Sequence, residues 1–222
     1  MVIDTLRVTM KNEVQRIGKK PDHKRWNDMM PQTVNACFIP ELNEIVIPAA
    51  ILRPPIFDPS LEDAYNYGAL GAVIGHELSH AFDPNGMRFN ESGKLVRVDT
   101  AWYDPLRAAV DAQATALGEN AKLTSSENVA DVAGLHFAME ALKSREGYDE
   151  KNNHIFFERW ATVWASKFTE RDAKRRSLVD PHPNGRDRSR LGPANEDEFI
   201  KAFNVKAGDA MYPKGPVARM WW

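Results

Sequence analysis

The stretch from Tyr65 to Asp83, Tyr-Asn-Tyr-Gly-Ala-Leu-Gly-Ala-Val-Ile-Gly-His-Glu-Leu-Ser-His-Ala-Phe-Asp, constrains the fold of this 222-residue chain more than any other. Up to Gly75 it is small and apolar on every side, which predicts a buried helix from Leu61 to about Phe82 through the centre of a domain. Gly68, Gly71 and Gly75 weaken that helix but let neighbours pack closely. Ser60 reads as its N-cap and Asp63 as the capping-box acid, after a rigid connector at Arg53-Pro54-Pro55 and Asp58-Pro59. His76 and His80 lie four apart on one face, so both imidazoles can aim at one point, half of a tetrahedral zinc site. Glu77 sits about a third of a turn round, placed to hold a water on the metal without ligating it, the position of a general base. Two histidines and a glutamate can also fall at this spacing by coincidence, so the remainder of a site has to come from elsewhere in the chain.

Glu127-Asn128-Val129-Ala130-Asp131 opens a second helix, with Val129, Val132, His136, Met139 and Leu142 at helical spacing. Glu127 and Asp131 share a face. A carboxylate from another helix is what a two-histidine site lacks: it supplies the third ligand and leaves the fourth position open. Asp131, one turn on, can accept the N–H of a ligating histidine and fix its tautomer. Thr124-Ser125-Ser126-Glu127 reads equally as a capping box, with its acids favoured by the helix dipole alone.

β-Formers run from Thr33 to Phe38 and from Glu44 to Ile47 around a Pro40-Glu41-Leu42-Asn43 turn, with Pro48 limiting the second strand. The free edge of such a hairpin can pair with an extended peptide, or the hairpin can be purely structural. Cys37, the one cysteine, reads as a buried thiol on the first strand, and no intrachain disulfide exists. A net charge of -2 gives no general affinity for nucleic acid or anionic lipid. No apolar run approaches a membrane span, and Met1-Val2-Ile3-Asp4 is not followed by a signal-peptide core, so the chain carries no address of its own and its compartment stays open.

Leu6, Met10, Val14 and Ile17 mark an opening amphipathic helix that stops at Gly18-Lys19-Lys20-Pro21. A polar turn is expected at Asn90 to Gly93, and an alanine-rich helix from Pro105 to Leu117. Phe157, Trp160, Trp164 and Phe168 define one helix face, and Asn195 and Glu198 start a short helix carrying Phe199 and Phe203. His23, His136 and His154 have no comparable context and read as structural or exposed.

His76-Glu77-Leu78-Ser79-His80, Glu127-Asn128-Val129-Ala130-Asp131 and Val34-Asn35-Ala36, in that setting, resemble the M13 family of zinc metallopeptidases, and the likeness extends from Pro31 to the end of the chain. The resemblance implies a mainly α fold with a small β-hairpin (α+β), a gluzincin, thermolysin-like catalytic domain. It implies one Zn2+ per chain on His76, His80 and Glu127, with Glu77 as base and Asp131, and also Asp83, behind the ligands. Asn35 and Ala36 would hold the substrate backbone, His182 the oxyanion, and Arg188 a substrate carbonyl. Val163 and Trp164 would line a pocket for an apolar side chain, and Met220-Trp221-Trp222 matches a habit of ending in a buried aromatic residue.

The implied activity is endopeptidase cleavage of short peptides on the amino side of apolar residues. The chain is read as a single catalytic domain over 1–222, with an N-terminal helix and linker over 1–30 and the M13-like region over 31–222. Family members are much longer and carry a helical lobe before the first match; a partner chain or self-association in its place is the favoured expectation, beside a chain that works without the lobe and a sequence that is a piece of a longer one. Two departures stand out: Ser125-Ser126 replaces the family's Leu-Gly, and the segment from Val98 to Lys122 is short. The rival reading is a zinc- and peptide-binding module, or a catalytic subunit of little activity alone.

Overall fold

The structure, a computed structural model, describes residues 2–20, 26 and 29–218. Helix α1 (Val2–Val14) comes first, and its stripe is bare: Leu6, Met10 and Val14, with Ile17 beyond the helix, are all more than half exposed. Strands β1 (Cys37–Ile39) and β2 (Glu44–Val46) follow as an antiparallel pair, with Cys37 opposite Val46 and Ile39 opposite Glu44. Asn43 supplies the left-handed residue of the turn, at φ 50°. The first strand is shorter than its β-formers predicted. Continuing the register would set Asn35 opposite Pro48, which has no N–H to give the ladder, so Asn35 and Ala36 lie just ahead of the strand.

The predicted long helix is a composite: α2 (Asp63–Asn66), a π-helical stretch Tyr67–Gly71, α3 (Ala72–Ser79) and a 3-10 turn His80–Phe82. Ser60 is not its cap. The Ser60 hydroxyl and N–H both bond Asp58 Oδ1, and the helix begins at Asp63 without a side-chain cap. Asn66 holds the connector instead, accepting from Asp58 N and donating to Asp58 O.

Helices α4 (Asp104–Ala116), α5 (Ala121–Lys143), α6 (Asn153–Val163), α7 (Glu170–Val179), α8 (Gly185–Ala194) and α9 (Asp197–Ala202) complete the chain. The central element is α5, not the histidine-bearing helix. Val129, Val132, Leu135, Ala138, Met139 and Leu142 of α5 are all buried, with α3, α4 and α8 packed around it. On the histidine helix Ile74, Leu78 and Phe82 are 37%, 44% and 46% exposed, so one face is open although the residues read as apolar all round.

Phe156, Phe157 and Trp160 of α6 seal one core cluster with Leu135 and Met139, while Tyr103, Leu106, Val110 and Leu191 seal a second with Val129 and Val132. The aromatic stripe ends early: Trp164 is the C-cap of α6, and Phe168 lies beyond it, exposed beneath the Arg176 guanidinium. Phe199 is buried on α9, whereas Phe203 stands partly outside. The polar turn forms as expected, with Asn90 Oδ1 accepting from Ser92 N and Lys94 N. Met220-Trp221-Trp222 and His23 lie outside the described residues. Among those described, no helix is long and apolar enough to cross a membrane.

Two glycines set the distance that matters for the site. A Cβ on Gly75 would meet Gly134 O at 2.5 Å, and one on Gly134 would meet His76 N at 2.3 Å. The backbones of α3 and α5 therefore touch, and His76, at that contact, falls within reach of Asp131, one turn before Gly134. Gly68 is similarly closed against Phe156 O, while Gly71 has ordinary space. Gly134→Ala is expected to destabilise the chain by about 3 kcal/mol, the upper end for overpacking because backbone rather than a side chain must yield. A urea midpoint within error of the wild type would contradict this contact.

Candidate metal centre

Side-chain nitrogens and oxygens from α3, the turn after it, α5 and the loop before α8 meet at the foot of an open cleft of about 470 Å3. His76 Nε2 and His80 Nε2 are 3.1 Å apart. Glu127 Oε2 lies 3.2 Å from His76 Nε2, and Glu127 Oε1 lies 3.7 Å from His80 Nε2. Each imidazole is fixed from behind: His76 Nδ1 is 2.8 Å from Asp131 Oδ1, and His80 Nδ1 is 2.9 Å from Asp83 Oδ2. A carboxylate only accepts, so both Nδ1 atoms carry a proton, and each ring with Nε2 unprotonated turns a lone pair towards the same point. Glu127 Oε2 is buried there without a hydrogen bond.

With both Nε2 atoms unprotonated, these are three acceptors facing one another, which is a cation's ligand set. Ligands about 2.0–2.2 Å from a tetrahedral zinc stand about 3.3–3.5 Å apart, close to the separations found. The donor atoms of His76, His80 and Glu127 all lie within 4.8 Å of one another. The residues present thus fit a zinc ion with two imidazoles and one carboxylate.

Burial disfavours protonation of His76, but the Asp131 and Glu127 carboxylates outweigh it and push its pKa up to about 9, so in the metal-free site this ring carries a second proton that a bound cation would displace. For Glu127 burial acts upward, and the imidazoles of His76, His80 and His182 bring the net shift below the ordinary carboxylate value. Asp131, against the upward effect of burial, is held low by Arg188 and His76. Asp83 is likewise held low despite burial, by His80, Ser126 and the Gly86 N–H.

Glu127 does not cap its helix. α5 starts at Ala121, well before Glu127, and Asn120 rather than Thr124 stands at the cap position. Thr124 Oγ1 instead donates to Glu119 Oε2, and Ser126 Oγ to Asp83 Oδ2. The capping-box pattern was local, whereas the acid faces two histidines from another element.

Glu77 is 7% exposed and lines the cleft beside the imidazoles. Asn35 and Ala36 line it too, next to the unpaired edge of β1. Cys37 is half-buried in the cleft wall rather than sealed in the core, and burial, then the Glu77 charge, raise its pKa. Val163, Trp164, Ile51, Ile56 and Val73 also line the cleft, in one apolar cluster with Ala36.

His182 stands at the rim, its Nε2 3.5 Å from Glu127 Oε2 and its Nδ1 2.9 Å from Asp180 Oδ1. Asp180 was missed as an orienter, although an aspartate two residues ahead is a common local turn partner. Arg188 is 5% exposed and bidentate on Asp131, with Nε 2.7 Å from Oδ2 and Nη2 2.5 Å from Oδ1. Its guanidinium lies 3.4 Å over the Trp164 ring. It therefore supports the acid behind His76 as well as bordering the cleft, a link no sequence spacing reveals. His136 pairs with buried Glu196, and His154 bonds Lys151 O at the surface.

Known proteins resemble this chain in sequence and in fold. The chain is 35% identical over 210 residues to the neutral endopeptidase of Lactococcus lactis subsp. lactis (strain IL1403), covering 89% of this chain and 32% of that protein. It is 33% identical over 221 residues to endothelin-converting enzyme 1 of Bos taurus, covering 89% and 29%. The zinc metalloprotease ZMP1 of Mycobacterium tuberculosis, solved in complex with an inhibitor, superposes with a TM-score of 0.83 at 34% identity, over 96% of this chain and 36% of that one. The chain spans about a third of the length of the curated relatives it matches. Since residues 35–217 also match the description of peptidase family M13, the chain belongs to that metallopeptidase family.

Proposed function

We propose that this chain is the catalytic part of a zinc-dependent endopeptidase, hydrolysing short peptides on the amino side of apolar residues. The observation that carries the reading is the meeting of two aspartate-pinned imidazoles and an unbonded buried carboxylate at one point. His76, His80 and Glu127 would hold one zinc ion. A zinc ion so held supplies Lewis acidity, which acidifies water and polarises a carbonyl.

The chain's own residues do the rest. Glu77, shielded in the cleft wall, accepts a proton from the attacking water and returns it to the leaving amine. The edge beside Asn35 and Ala36 offers unpaired backbone groups to an extended peptide, and the wall of Ile51, Ile56, Val73 and Val163 favours an apolar side chain. His182, with Nδ1–H held by Asp180, can donate from Nε2–H, when the ring carries both protons, to the negative charge that builds on the substrate oxygen. Arg188, stacked on Trp164, offers a donor to a substrate carbonyl.

In this reading 1–222 forms one catalytic domain, with 31–222 as its working region. The bare stripe of Leu6, Met10 and Val14 favours a second reading, a subunit whose activity depends on a partner chain or on self-association. Incubating the chain with a mixture of short peptides separates the two. The first reading predicts cleavage that a zinc chelator stops and added zinc restores. Bound zinc without chelator-sensitive cleavage would favour the second.

A further inference from the structure

A second cavity of about 410 Å3 opens behind the cleft wall, between the start of α5, the segment after α6, α7 and the loop into α8. Val163, Trp164, His182 and Arg188 line both spaces, so Trp164 is a partition with substrate on one side and this cavity on the other. Its cations are already engaged: Arg176 with Asp172 and Asp180, Arg188 with Asp131. Two of its anions, Glu119 and Asp187, pair with no cation among the described residues. Asp187 is 6% exposed; its Oδ2 accepts from Asn184 Nδ2, while its own backbone N–H donates to Asn184 Oδ1. Glu119 Oε2 accepts from Thr124 Oγ1 and Asn128 Nδ2, each at 3.0 Å, while Oε1 is shut from solvent with no donor at all.

Trp164 and Phe168 add apolar walls suited to an alkyl stem. The Trp164 indole N–H is also buried without an acceptor. Burial, with a further contribution from Asp187, raises the Glu119 pKa, as expected of an acid lacking the positive group it would best pair with.

We propose that this cavity is a subsite of the catalytic cleft that takes a basic side chain, lysine or arginine, of the peptide. The assignment rests on the peptidase reading and deepens it. An apolar residue enters beside the metal centre, and a basic residue beyond the cut reaches past Trp164, its head between Glu119 and Asp187. A buried charge-assisted hydrogen bond is strong enough to show as selectivity.

The test uses matched peptides carrying lysine or its uncharged isostere norleucine at each of the three positions following the cleaved bond. They are measured for kcat/KM on the zinc-loaded chain and for Kd on the zinc-loaded Glu77→Gln variant. The expected result is a preference of about tenfold or more for lysine at one position, in both readouts. Glu119→Gln with Asp187→Asn should erase the preference and leave the norleucine peptides unchanged. Equal treatment of lysine and norleucine at all three positions, or failure of every peptide to bind, overturns the subsite. Should the wild type cleave nothing while Glu77→Gln still selects lysine in Kd, the peptidase reading fails and the subsite stands.

Discussion

Glu77→Gln is expected to lower peptide turnover by about 10²–10⁴-fold while leaving zinc bound. Glutamine keeps the shape and a hydrogen-bonding oxygen, so it can still position water, but it cannot take up a proton at neutral pH. The side chain is 7% exposed, and bulk water is poorly placed to substitute for it. The proposed ligand atoms belong to His76, His80 and Glu127, and none of them relies on Glu77 for orientation. Zinc content and kcat should therefore separate in this variant, with metal analysis near one ion per chain and activity near background. Retention of wild-type kcat would remove Glu77 from its role, and loss of zinc would mean that it ligates.

The second large effect is on Asp131. Its carboxylate is 1% exposed and joins three elements, with His76 on α3, Arg188 on α8 and its own α5. Asp131→Asn keeps the volume and withdraws the charge, leaving a buried guanidinium with no anion. The expected cost is about 3–5 kcal/mol in the urea unfolding of the zinc-free chain. Zinc affinity, read by competition with a chromogenic chelator, should fall by about 10–100-fold because His76 loses the partner that fixes its tautomer. Variants at Asp83 should show a smaller loss, since His80 is more exposed and Asp83 has further bonds to Ser126, Asn85 N and Gly86 N. A shift below about 1 kcal/mol for Asp131→Asn would mean that Arg188 relaxes to another acceptor.

The parts of this molecule legible in the sequence were those with local periodicity or fixed spacing. His76 and His80 announce themselves by their separation, and the helix of Asp104–Ala116 and the hairpin by their patterns. Glu127 was legible as an acid on a helix face but ambiguous as a ligand. Its local context imitates a cap, and only the crossing of α3 over α5 brings it to the histidines. That crossing depends on Gly134, which gave no signal of its own, because a glycine in mid-helix looks the same whether or not backbone passes over it.

Ser60 was misread for a related reason: its hydroxyl donates to Asp58 Oδ1 next to it instead of accepting from a helix N–H. The open face of Ile74, Leu78 and Phe82 shows the limit of composition, since apolar residues are often, not always, inside. Arg188 shows the limit of motif spacing. The sequence tied it to substrate, while the fold also ties it to Asp131 and Trp164, 57 residues away and across a ring face respectively.

The central claim is that three side chains from α3, its following turn and α5 hold a single zinc ion. Zinc-edge anomalous diffraction from crystals grown with zinc tests it most directly. The account predicts one strong peak per chain, about 2.0–2.2 Å from His76 Nε2, His80 Nε2 and a Glu127 carboxylate oxygen. A peak elsewhere, or one bound by the histidines with Glu127 turned away, would contradict it.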